Sequence, residues 1–253
     1  MDNDIRDRVI VVTGAGRGIG HALALGLATE GARIAVLTRT LDQSARVVEE
    51  IAAQVPDAPE AFGVAADVTD EDQVRAAASA IDGHWGRVDA LINNAGLLPN
   101  AGMRVLDLDL GDLHRMVDTN LVSCFLMTKH VAPIMIRGGG GRIIYVSSMI
   151  GVQSGPAASA YGASKAGVNI LSNVVHQELA DQGIRTVAIA PGLTDTPGMR
   201  ASASEEHIAR VSARYPNGRV GQPEDIVPFA AFLCSDAASH ISGTFMPIRP
   251  ITG

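Results

Sequence analysis

The sequence predicts an α/β protein: a single doubly wound domain in which helices flank a mostly seven-stranded parallel sheet. Three observations carry that prediction. Short apolar, β-branched runs alternate with longer segments of helical period. The runs are apolar along nearly their whole length, as strands covered on both faces are. No break in composition and no long linker divides the 253 residues, which suffice for one substantial core. Right-handed crossovers then place helices on both sides of the sheet.

Taken in order, RVIVVT (8–13) is the first strand, and the helical segment 18–30 follows it directly after a glycine-rich turn. RIAVLT (33–38) leads into a helix at 41–54, and AFGVAA (61–66) into one at 70–84, ahead of whose start, TDEDQ, Asp67 is a candidate capping acid. VDALIN (88–93) precedes a long helix at 109–136, and GRIIYVS (141–147) precedes another at 159–182. IRTVAIA (184–190) is the sixth strand. A helix at 223–234 and the strand GTFMPI (243–248) complete the pattern. Within the two long helices, 121–136 and 166–179 are apolar almost all round. They bury more surface than the sheet alone covers, either in a large core or against another subunit.

Composition narrows the function. Hydrophobic residues are 47% and charged residues 19% of the chain, a globular balance. Twenty basic against 27 acidic residues give a net charge of −7, with no cluster of Lys and Arg, so neither nucleic acid nor an anionic membrane is an expected partner. No apolar run approaches transmembrane length, and the polar start MDNDIRDRV does not read as a signal peptide. Cys124 and Cys234 lie in apolar stretches, and the seven histidines show no metal-ligand spacing. A cytoplasmic protein without a structural metal is expected.

The first strand runs into TGAGRGIG (13–20). Glycines at 14, 16, 18 and 20 allow a tight turn whose N–H groups approach an anion, and the following helix points its positive end there. The spacing is G-x-x-x-G-x-G, with Ile19 where the commoner dinucleotide pattern has glycine. Gly14, Arg17, Gly18, Ile19 and Gly20 are therefore the candidate phosphate loop. At the end of the second strand a carboxylate would hold a ribose 2′-hydroxyl, whereas positive charge would hold a 2′-phosphate. Here Thr38 takes the place of the acid and Arg39 follows it, with Arg17 able to approach from the loop. That pattern favours NADP(H) over NAD(H).

Further loops at strand ends converge on one crevice: Asp67-Val68, Asn93 to Gly96, Ser147-Ser148 and PGLTDT (191–196). In SAYGASKAG (159–167), Tyr161 precedes Lys165 by one helical turn, so both lie on one helix face. A cation held near a phenol lowers its pKa from about 10, which would suit it to proton transfer. Ser148 lies thirteen residues before Tyr161, close enough for hydroxyl and phenol to meet. Ser147 is the other candidate hydroxyl.

Taken together, TGAGRGIG, Asp67-Val68, NNAG (93–96), Asn120, Ser148, YGASK (161–165), PGLTDT and GRVGQPEDI (218–226) resemble the short-chain dehydrogenase/reductase family over essentially the whole length. The resemblance implies a Rossmann fold and an oxidoreductase that transfers hydride between NADP(H) and a ketone or secondary alcohol. It implies Tyr161 as general acid/base, Lys165 as the group that lowers its pKa and holds the nicotinamide ribose, and Ser148 as the group that polarises the carbonyl. Asn120 would bind a water relaying protons to Lys165. Asp67 would contact adenine, and Pro191, Gly192, Thr194 and Thr196 would lie on the nicotinamide side. It also implies a homotetramer, with a dimer as the fallback.

Residues 149–158, Leu97-Leu98-Pro99 and 198–217 are the expected walls of the substrate site, and 193–217, with the helix-like SEEHIARV, its lid. The end of the chain, MPIRPITG (246–253), departs from the Asp-Gly-Gly stretch that many members of the family carry there.

Overall fold

A computed structural model describes residues 4–98, 104–153 and 155–249; of the expected substrate-site and tail residues, Pro99, Ser154 and 250–253 lie outside these. Every expected strand forms: β1 (Val9–Thr13), β2 (Arg33–Thr38), β3 (Phe62–Ala65), β4 (Ala90–Asn93), β5 (Gly141–Val146), β6 (Ile184–Pro191) and β7 (Thr244–Ile248). All pairings are parallel, in the order β3-β2-β1-β4-β5-β6-β7. The order reverses between β1 and β4, so the carboxyl ends of these two strands open the crevice in which doubly wound proteins bind ligands.

The pleat sorts the strand residues between two cores. Ile10, Val12, Ile34, Val36 and Ile144 face α1 (Gly18–Thr29), α2 (Leu41–Gln54) and α9 (Val227–Cys234). Val9, Val11, Leu37, Leu91 and Ile143 face α3 (Glu71–Trp85), α5 (Ser123–Arg137) and α6 (Ser159–Leu179). Because both faces are covered, alternate residues are equally apolar, which is why the strands read as continuous hydrophobic runs. Each fully buried Ile or Leu contributes about 1.5–3 kcal/mol.

Three helical segments differ in detail from the sequence reading. The segment expected at 109–136 is α4 (Leu110–Val117), one wide π turn at Asp118–Val122 and then α5. The inserted residue of such a turn re-aims side chains, and it aims Asn120 inward. The segment 223–234 opens as a tight 3₁₀ turn at Pro223–Ile226, where Asp225 and Gln222 cap each other, before α9 begins. The expected lid carries two short helices, α7 (Pro197–Ser202) and α8 (Glu205–Ser212), with N-caps Thr196 and Ser204. Pro247 lies in β7, which pairs with β6 alone, and an edge strand tolerates a residue without an N–H.

Candidate active site

The glycine turn is built for close approach. Gly14 and Gly18 adopt φ of +65° and +56°, where L side chains are strained, and a Cβ on Gly20 would collide with the Gly14 carbonyl oxygen. α1 begins at Gly18 with no side-chain cap and no acid in its first turn. Its leading N–H groups are therefore left for an external acceptor. By contrast, α3 and α8 are capped by Asp70 and Ser204. This cradle fits a dinucleotide pyrophosphate. Ile19 itself packs into the core beneath the turn.

Two residues that the sequence reading did not single out hold the cradle. The Thr13 hydroxyl accepts the N–H groups of Asn94 and Ala95, both at 3.0 Å, and the Asn94 amide donates to the Thr13 carbonyl at 2.9 Å. The carboxyl ends of β1 and β4 are thereby fastened to each other across the switch point. Their signal lay within the motifs already quoted, since Thr13 opens TGAGRGIG and Asn94 is the second residue of NNAG. Asn93 is buried, and its Nδ2 is the one polar atom among the expected site residues that is buried without a partner.

At the end of β2, Thr38 is buried and its hydroxyl donates to the Thr40 carbonyl at 2.8 Å, while Arg39 and Arg17 are exposed. Asp67 turns its carboxylate to the N–H and hydroxyl of Thr69, at 3.0 and 2.7 Å, and Val68 packs on the core.

Tyr161 and Lys165 share one face of α6 and are 9% and 5% exposed. Burial pushes the phenol pKa above its ordinary value, and the neighbouring Ser148 hydroxyl pulls it partly back. This is opposite to the direction read from the Tyr–Lys spacing. The ammonium of Lys165 donates to the Val146 carbonyl at 2.8 Å and stands 5.9 Å from the phenol ring centre, so it does not offset the loss of water around the phenol. Burial also lowers the pKa of Lys165 itself. The two candidate serines are now distinct. Ser147 is buried and donates to Asn169 Oδ1 at 2.5 Å, whereas Ser148, half-buried at the strand end, accepts the Ile150 N–H at 3.2 Å beside Tyr161.

Asn120 is fully buried and acts as a clasp. Its Oδ1 accepts the Leu97 N–H at 2.7 Å, and its Nδ2 donates to the Leu97 carbonyl and to Ser164 Oγ, each at 3.1 Å. Ser164, another residue missed in the sequence, sits next to Lys165 on α6. A Cβ on Gly96 would lie 3.2 Å from Asn120 Oδ1 and 3.6 Å from Lys165 Nζ, so the NNAG loop, the π turn and α6 meet at one point. The main-chain carbonyl of Asn120 receives the Cys124 thiol at 3.3 Å.

The loop after β6 closes the other side. The Gly192 N–H donates to the Ile248 carbonyl, and Pro191 pairs with Ile248 in the sheet. Thr194 Oγ1 donates to the Gly192 carbonyl at 2.9 Å, and Thr196 caps α7 while its methyl group faces Gly18. The glycine turn and this loop are thus in contact. Next to Tyr161 lies a cavity of about 130 Å3, walled by Leu97, Leu98, Leu108 and Met116, with the Asp112–Arg115 ion pair also on its lining. Among the described residues no group of three His, Cys, Asp or Glu side chains could hold a metal ion, and no helix is long and apolar enough to cross a membrane.

Fold and site together define an α/β enzyme of the dinucleotide-dependent oxidoreductase class. The chain belongs to the short-chain dehydrogenase family, whose model matches residues 8–207. It is 38% identical over 235 residues to the 3-oxoacyl-[acyl-carrier-protein] reductase of Staphylococcus aureus, covering 92% of this chain and 93% of that one. A solved 7α-hydroxysteroid dehydrogenase, in complex with NADH and 7-oxo glycochenodeoxycholic acid, superimposes with a TM-score of 0.90 at 33% identity, covering 100% of this chain and 98% of that one. A structure from Beutenbergia cavernae with NADP bound at low occupancy, for which an NAD(P)-dependent gluconate 5-dehydrogenase activity has been suggested, gives a TM-score of 0.89 at 35% identity over 98% and 97% of the two chains.

Proposed function

We propose that the protein is an NADP(H)-dependent carbonyl reductase (EC 1.1.1.-) in which Tyr161 is the general acid in reduction and the general base in alcohol oxidation. The observation that carries this reading is the buried Tyr161 phenol, flanked by Ser148 and one turn from buried Lys165, at the crevice of a switch-point sheet. When bound, the nicotinamide supplies or accepts the hydride at the carbonyl carbon.

The residues of the chain do the rest. Ser148 Oγ hydrogen-bonds the carbonyl oxygen and stabilises the charge that grows on it. Tyr161 Oη–H gives its proton to that oxygen as the C–O double bond becomes single, and the phenol is reprotonated by way of Lys165 and a water on the Asn120 carbonyl. Lys165 also holds the nicotinamide ribose. Gly14, Gly18, Gly20 and the free N–H groups of α1 hold the pyrophosphate, and Asn93, Gly96, Pro191, Gly192, Thr194 and Thr196 line the dinucleotide. Asp67 and Val68 border the adenine. Arg17 and Arg39, with no carboxylate at position 38, select the 2′-phosphate.

The leucine and methionine side chains that wall the cavity beside Tyr161, next to the Asp112–Arg115 pair, favour a ketone or secondary alcohol with an apolar body, in keeping with relatives named for 3-oxoacyl and steroid substrates. Residues 193–217 form the lid of one catalytic domain spanning the chain, and α7 and α8 would shed water from the site on closing. We place the enzyme in the cytoplasm as a homotetramer. A second reading, an NAD-dependent alcohol dehydrogenase of the same fold, draws on the NADH held by the hydroxysteroid relative.

Fluorescence titration decides between the cofactors. One charge-assisted contact contributes about 1.5–3 kcal/mol, so NADPH should bind at least about tenfold tighter than NADH; equal dissociation constants would transfer the assignment to the second reading. Tyr161→Phe should bind NADPH within about twofold of the parent yet show no measurable turnover across a panel of ketones, keto-esters and steroids. Substantial residual reduction would remove Tyr161 from the chemistry.

A further inference from the structure

A third basic side chain reaches the adenosine end of the crevice from α2. Arg46 Nη2 donates to the Gly16 carbonyl at 2.9 Å. Gly16 in turn packs on the end of β2 and the first turn of α2. A Cβ there would meet Thr38 Cγ2 at 3.5 Å and Gln43 Oε1 at 3.7 Å. The seam where the glycine turn meets the end of β2 and α2 is therefore formed by Gly16, Thr38, Gln43 and Arg46, with Arg17 and Arg39 adjoining in sequence.

The charge of Arg46 is oriented but weakly neutralised. Among the described residues the only carboxylate within ion-pair distance of its guanidinium is Glu50, at 3.7 Å. The other oxygen of that carboxylate lies 2.5 Å from His21 Nε2. Asp42, one turn earlier on α2, forms no ion pair with Arg46, whose side chain is 57% exposed. A half-exposed guanidinium steered by a loop carbonyl, with only a long contact to one carboxylate, suits a charge-assisted bond to a phosphate.

We propose that Arg46 is a specificity-determining residue that binds the phosphate of a 2′-phosphorylated adenosine ribose, completing a three-arginine site with Arg17 and Arg39. The inference rests on the NADP(H) reading above. The hydrogen bond to Gly16 pre-sets the guanidinium, and its one carboxylate contact, to Glu50, is long at 3.7 Å.

Calorimetric titration of the full chain with adenosine 2′,5′-bisphosphate and with adenosine 5′-monophosphate tests this without turnover, because the two probes differ only in the 2′-phosphate. Arg46→Gln should weaken the bisphosphate about tenfold and the monophosphate less than twofold. Arg46→Glu should lose about a hundredfold on the bisphosphate alone. Raising the salt concentration should narrow the gap between parent and variants. If the parent binds both probes equally, the NADP(H) reading falls and takes this inference with it. If the parent prefers the bisphosphate and both variants keep that preference, Arg46 has no part in it, and the reading stands on Arg17 and Arg39. Equal weakening of both probes would make Arg46 a brace for the glycine turn and would equally overturn the inference.

Discussion

Tyr161 is placed where losing its proton is costly. Its phenol is buried, its pKa is raised by that burial, and the Ser148 hydroxyl is the nearby group that opposes the rise. A raised pKa keeps the acid form dominant throughout the neutral range. Two limbs follow from that sign. Under the proposed mechanism, reduction needs the protonated phenol and should hold a level kcat/KM across neutral pH, falling only in alkali. Oxidation of the matching alcohol, which needs the phenolate, should climb as pH rises. Steady-state rates in both directions between pH 6 and 10.5 check this, and a reductive limb that falls near neutrality would mean that another group donates the proton. The residue types and their one-turn spacing were legible in the sequence. The direction of the pKa was not, because spacing tells that a lysine is near but not that its ammonium is spent on the Val146 carbonyl.

At the scale of elements, the π turn at Asp118–Val122 is what lets a helix contribute a clasp. It rotates Asn120 inward, where one amide satisfies both backbone groups of Leu97 and reaches Ser164. Asn120→Ala would remove the partner of the half-buried Leu97 N–H and C=O and of the buried Ser164 hydroxyl, for a loss of about 1–3 kcal/mol. The variant should therefore unfold at lower urea concentration and lose turnover through displacement of the NNAG loop; unchanged stability would show that the clasp carries no load. The sequence located every strand and almost every helix, because doubly covered strands and helical periods write themselves into hydrophobicity. It could not show the π turn. One inserted residue shifts a periodic pattern only slightly, and a helix apolar on nearly all sides has no face against which the shift can be read. The Thr13–Asn94 fastening was equally hidden, since Thr13 reads as the last residue of a strand and its bonds cross 81 and 82 residues of chain.

For the molecule as a whole, apolar surface on α5 and α6 stands out. Phe125 is 48% exposed, Ile170 65% and Val174 40%, in the two helices whose sequence is apolar almost all round. The sheet has used its own face of these helices, so the remaining face suits a second copy of the chain. Light scattering should accordingly give a native mass of more than one subunit, and Ile170→Glu should lower it; a parent that is monomeric at micromolar concentration would refute the assembly. The all-round apolar pattern in the sequence left two explanations open, a larger core or a partner. Exposure at these three positions shows that the chain's own core leaves part of these helices uncovered, which the periodicity alone does not reveal, and the scattering measurement separates the two explanations.

The strip between β6 and α9 leaves and re-enters the body at adjoining points. Thr194 bridges to Gly221, the Asp195 N–H donates to the Gly221 carbonyl at 2.8 Å, and the Gly221 N–H donates to the Leu193 carbonyl at 2.9 Å. Everything from residue 196 to 220 is thus a closed excursion fastened at its neck. Such an excursion can be exchanged for the corresponding piece of another dehydrogenase without shifting the register of any strand. Under the proposed function, substrate preference would then become a transplantable property, provided that Thr196, which touches the glycine turn, is kept.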